Sequence, residues 1–85
     1  MKEFRYHAEV PKGFTGTCKV HVTNSMNHFK DGKHHSEICP AIQWNIDSEK
    51  VRQEWRYEGR TYGKDNDFTV ESWKEFVASL KAVVA

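Results

Sequence analysis

The chain has 85 residues, with 13 Lys and Arg against 12 Asp and Glu, for a net charge of +1. At this length residues 1–85 are expected to form a single domain that buries only roughly 60% of the surface its unfolded chain exposes, so its large apolar side chains are needed for a core. The near-neutral balance excludes a global field steering polyanions, and no apolar run approaches the ~18 residues of a membrane span.

Met1 to Val10 alternates charged and apolar residues, unlike a signal peptide, and the sequence is expected to be a complete small protein. Its two cysteines, without an export signal, read as free thiols in a reducing cytoplasm. From Glu3 to Val10, Phe4, Tyr6, Ala8 and Val10 share one face and Arg5, His7 and Glu9 the other, the pattern of a half-buried strand. Pro11, Gly13 and Gly16 mark a turn, and Thr17 to Thr23 alternates again with Cys18, Val20 and Val22 together, so the two segments are expected to pair as an antiparallel hairpin. Asn24 to His35 is polar and reads as a loop or long hairpin connection around Asp31-Gly32, with Met26 and Phe29 tucked onto the core.

Ile38, Pro40, Ile42, Trp44 and Ile46 then occupy every second position, predicting a third strand that is an edge or bulged at Pro40, or begins just after it. Asp47 and Ser48 suit the start of a short helix from Glu49, and the Glu49–Gln53 stretch stays open. Trp55 to Tyr62 reads as a hairpin turning at Glu58-Gly59. The final segment places Val70, Trp73, Phe76, Val77, Leu80, Val83 and Val84 on a 3.6-residue period, capped by Asp67 or Thr69, with Glu71 and Glu75 near its positive end. One apolar helix face and several half-apolar strands imply an α+β fold, an antiparallel sheet of four or five strands with one C-terminal helix packed on one face.

Three constellations carry chemistry. Cys18, His21, His35 and Cys39 have spacings close to a zinc-finger layout, but a strand over Thr17–Thr23 would turn Cys18 and His21 to opposite faces, so no metal or cofactor is expected. His28, Lys33, His34 and His35 share one loop and the residue types of general acid–base cleavage, yet no nucleophile elbow, phosphate loop or metal-binding His pair accompanies them, and no enzyme is expected. The densest signal runs from Arg52 to Lys64. Arg52, Arg56, Arg60 and Lys64 offer phosphate contacts and Trp55, Tyr57 and Tyr62 offer stacking rings, with Lys30, Lys33, His34 and His35 as a second basic lip. The competing reading is packing, because within one strand Trp55 and Tyr57 share a face that Arg56 does not.

In length, unprocessed start, Trp and His content and lack of catalytic apparatus, the chain is similar to small accessory proteins that lytic phages make against host enzymes and defences. That resemblance implies an inhibitor of a nucleic-acid-processing enzyme, such as a toxin endoribonuclease of a defence system blocked together with bound RNA. The expected partners are RNA or single-stranded nucleic acid and that enzyme, in the cytoplasm, with self-association open. A module that occludes its partner by protein contacts alone is the alternative, since Trp, Tyr and Arg also anchor protein interfaces. A small zinc-binding domain is the third.

Overall fold

The N-terminal alternation ends early because the chain turns back on a carboxylate. The computed structural model describes residues 2–84, with Met1, Ala85 and the Val84 side chain, which belongs to the expected helical stripe, lying outside the described residues. Strand β1 covers only Lys2–Phe4. Glu9 Oε1 accepts the backbone N–H groups of Arg5 at 2.7 Å and Tyr6 at 3.0 Å, closing a single 3-10 turn over His7–Glu9 where a continuous strand was expected. β2, Gly16–Val20, runs parallel to β1, with Lys2 opposite Cys18 and Phe4 opposite Val20. The expected antiparallel hairpin is therefore a crossover, since parallel neighbours cannot be joined by a tight turn.

A 3-10 turn over His21–Thr23, ended by Asn24 in the left-handed region at φ 47°, leads into β3, Ser25–Lys30. This strand occupies the stretch expected to be a loop. Its inward positions are polar and lack an apolar alternation, yet they satisfy one another: Asn27 Nδ2 donates to Ser25 Oγ at 2.9 Å, and Ser25 Oγ shares a hydrogen bond with Thr23 Oγ1 at 2.6 Å. β3 turns at Asp31-Gly32 into β4, Lys33–His34. Both turn residues have positive φ, 52° and 80°, the geometry that favours Asp-Gly in a two-residue hairpin.

The third predicted strand shrinks to β5, Ile42–Trp44, beginning two residues after Pro40. No helix forms at Glu49. Instead β6, Arg52–Tyr57, turns at Glu58-Gly59 into β7, Arg60–Lys64, as the hairpin reading expects. The sheet order is β1-β2-β3-β5-β6-β7, with β4 on the end of β3, and every pairing except β1–β2 is antiparallel. The architecture is α+β, a seven-stranded, mostly antiparallel open sheet plus one C-terminal helix, with more strands than the four or five expected.

Helix α1, Val70–Val84, starts at Thr69. Thr69 Oγ1 accepts the Ser72 N–H at 3.1 Å and Ser72 Oγ accepts the Thr69 N–H at 2.8 Å, a reciprocal cap. The helix packs where the β6–β7 hairpin presents rings: Trp73 and Val77 are buried against Trp55, flanked by Tyr57, Tyr62, Phe68 and Phe76. The Trp73 indole also donates to Ser36 O at 2.8 Å, tying the helix to the 35–41 connection, and Lys81 pairs with Glu37. Val70 and Val83, at the two helix ends, are exposed, so the apolar stripe is longer than the surface it covers.

Candidate nucleic-acid interface

Cross-strand register sorts the sheet into two faces, because paired residues project to the same side. One row runs Phe4, Val20, Ser25, Trp44, Arg52; the next runs Lys2, Cys18, Asn27, Ile42, Glu54, Lys64. Arg56 and Thr61 pair beyond them on this face. The helix covers the other face, where Trp55 and Tyr57 sit. Between Trp55 and Arg56 the register shifts by one residue, and Tyr62 also packs on the helix side, against Trp73 and Phe76.

This sorting separates the residues that the sequence places together. Trp55 is 2% exposed, and its Nε1 donates to Asp65 O at 3.0 Å. Its ring is a core element, which corrects the expectation of a stacking platform: burial against Phe68 and Trp73 leaves no ring face for a base. Tyr57 and Tyr62 are half-buried in the same cluster. Arg60 pairs with Tyr57 and so belongs to the helix side, away from Arg52, Arg56 and Lys64.

Two of the three cations on the other face, Arg52 and Lys64, share a groove with a ring that the sequence reading assigned only to a strand pattern. Trp44, Arg52, Glu54 and Lys64 line an open groove of about 500 Å³ with Val22, Thr23, Asn45 and Gln53. Nothing in the local sequence around Trp44 marks it; only the pairing of Trp44 with Arg52 brings indole and guanidinium together. Arg52 donates through Nε to both oxygens of Asp65 at 3.1 Å, and Asp65 also accepts the Gln53 N–H at 3.0 Å. Those bonds, the Gln53 N–H first and Arg52 next, hold the Asp65 carboxyl below its ordinary range. Arg56 likewise donates through Nε to Glu54 Oε1, which also accepts the Thr61 hydroxyl at 2.8 Å. Burial pushes Glu54 upward, but the bonds from Thr61 and Arg56 outweigh it and keep the carboxyl below its usual value. Among the described residues the terminal Nη groups of Arg52 and Arg56 have no hydrogen-bond partner, so both guanidinium ends are free to take phosphate oxygens.

The second lip contracts to two residues. Lys30 and Lys33 are exposed at the β3–β4 tip beside Glu58. His34 packs on Phe29 with ring centroids 4.3 Å apart and hydrogen-bonds Asn27 Oδ1 through Nε2 at 3.2 Å. Burial first, then the Arg56 and His7 charges, lowers its pKa to about 4 against an opposing pull from Glu54, so it is neutral at pH 7 and adds no charge. His35 is 8% exposed, stacked on Tyr57, and its Nδ1 accepts the Glu58 N–H at 2.9 Å. Both histidines are thus interior parts of the hairpin, not a basic rim.

The zinc-like quartet is dispersed. Cys18 is buried on the cationic face, His21 pairs with Glu3 in a 3-10 turn, His35 lies on Tyr57, and Cys39 contacts Ser36 and His28. Among the described residues no three His, Cys, Asp or Glu side chains converge as metal ligands, and no helix is long and apolar enough to cross a membrane. The chain matches no protein family, no curated protein and no solved structure.

Proposed function

We propose that the protein is a non-enzymatic binder of RNA or single-stranded nucleic acid, and that it inhibits a nucleic-acid-processing enzyme by holding a strand in the groove on the sheet face opposite the helix. The observation that carries the reading is the groove that Trp44 lines beside its cross-strand partner Arg52, together with Lys64. A half-exposed indole offers a base-stacking surface, and flanking cations with free donor ends follow a backbone, the combination that sequence-tolerant single-strand binders use. Inhibition of an enzyme such as a toxin endoribonuclease, and a cytoplasmic setting, rest on the likeness in character to phage accessory proteins.

The test is titration of a fluorescent single-stranded RNA. Arg52→Gln with Lys64→Gln is expected to weaken binding at least about tenfold, and Trp44→Ala to cost about 1–3 kcal/mol, the worth of one stacked base. Arg60→Glu, on the helix side, is expected to leave affinity unchanged and serves as the control. Arg56 is unsuited to charge reversal, because a glutamate there would face Glu54 and disturb the fold. Equal binding by wild type and the Arg52/Lys64 variant would overturn the reading.

Val22 favours the second reading. It is exposed at the rim of the same groove, where an apolar side chain beside Trp44 and Arg52 suits a protein hot spot. A complex held by protein contacts alone survives nuclease treatment, whereas one bridged by RNA dissociates.

A further inference from the structure

On the helix side of the sheet, away from the groove, four side chains form a hydrogen-bonded line: Thr17 Oγ1 to His28 Nδ1 at 2.9 Å, His28 Nε2 to Cys39 Sγ at 3.5 Å, and Cys39 Sγ to Ser36 Oγ at 3.1 Å. They come from β2, β3 and the 35–41 connection. The hydrogen-bonding capacities allow one self-consistent path for a proton along this line. Ser36 Oγ already accepts the N–H groups of Cys39 at 3.2 Å and Ile38 at 3.4 Å, which occupies both of its lone pairs. Its one hydroxyl hydrogen is therefore the donor to Cys39 Sγ. In the tautomer that accepts the thiol hydrogen at Nε2, His28 carries its proton on Nδ1, where it donates to Thr17 Oγ1.

We propose that Cys39 is an activated nucleophilic thiol that forms mixed disulfides with small-molecule disulfides, with His28 as its base and Thr17 and Ser36 as positioning residues. The arrangement has the parts such a nucleophile requires: a base within reach, a third group that orients the base, and a donor aimed at the sulfur that carries the developing charge. Burial holds His28 below its ordinary pKa, so its imidazole is neutral in the resting state. Cys39 is half-buried, in contrast to the buried Cys18. In the exchange the Cys39 proton passes to His28 Nε2 as Sγ attacks one sulfur of the disulfide. A new S–S bond forms at Cys39, the reagent's S–S bond breaks, and its second half leaves as a thiolate, while His28 gives the proton up to that thiolate or, where the thiolate is a weak base, to water.

Cys18 is an internal control. It is fully buried, and burial pushes its thiol pKa up. The experiment is reaction of the full chain with an aromatic disulfide whose leaving thiolate is coloured, repeated with glutathione disulfide and followed by peptide mass mapping. Folded protein at neutral pH is expected to react at one thiol, mapped to Cys39, at least about tenfold faster than the same thiol in the urea-unfolded chain, as activated cysteines do. His28→Gln is expected to remove that advantage while the near-ultraviolet signal of the tryptophans is retained. A merely packed thiol reacts more slowly folded than unfolded, so that result overturns the proposal without any variant. Labelling at Cys18, or an unchanged rate in folded His28→Gln, overturns it as well.

Discussion

His34 shows how a residue drawn from a polar, basic run becomes an acid-sensitive support of the fold. Its imidazole takes up a proton near pH 6.5 in the unfolded chain but only near pH 4 when folded. Between those values unfolding consumes a proton, so stability falls as the pH falls through this window and is fully present above it. From about pH 7 to about pH 5 the loss is about 2 kcal/mol for this group, before the carboxylates begin to titrate. Urea denaturation at the two pH values is expected to show this drop in wild type and a shallower one in His34→Gln. At this scale the sequence was legible in part. It singled out Arg52 and Lys64, which lie together in the structure, but set Trp55 beside them where Trp44 stands: period-two alternation shows that two residues share a face but not which face the helix will cover.

Elements were legible where their signals are local. The Glu58-Gly59 and Asp31-Gly32 turns and the helix from Val70 announce themselves through residue types that demand a given backbone, and all three stand. β3 was hidden, because Ser25 and Asn27 bury polar side chains that satisfy each other across the strand, and no hydrophobic period reveals that. The N-terminal strand was overlong because Glu9 recaptures the backbone at Arg5 and Tyr6. Two substitutions test the joints between elements. At Gly63 an added Cβ would stand 2.7 Å from the Phe68 ring, so Gly63→Ala is expected to cost about 1–3 kcal/mol by pushing Phe68 off Trp55 and Trp73. Thr69→Ala removes the helix cap and is expected to cost about 1 kcal/mol. Thermal melts of the two variants check both values.

For the molecule as a whole, the division of the sheet into a helix-covered face and a cationic face sets the expected response to salt. Contacts by Arg52, Arg56 and Lys64 with a single strand release counterions, giving a slope of about −2 in log affinity against log salt, at about 0.7 per phosphate. The slope is expected to flatten to about −0.7 in the Arg52→Gln, Lys64→Gln variant, measured by the same RNA titration at several salt concentrations. Such a slope separates a phosphate-tracking surface from an anchored protein contact, which salt moves little.

The parallel pairing of β1 has a kinetic side. Every other neighbouring pair in the sheet is antiparallel, and four of those pairs join strands that follow one another along the chain; β1 is held by one neighbour across an eleven-residue crossover. Closing a loop before any contact rewards it makes such a strand slow to dock and early to leave. Its detachment breaks no hydrogen bond among the other six strands, yet it uncovers Cys18 and Val20. Amide protons that Lys2–Phe4 share with β2 are therefore expected to exchange with solvent through a local opening, well before those of β3 and β6, making the amino-terminal strand a latch whose release is a smaller event than unfolding.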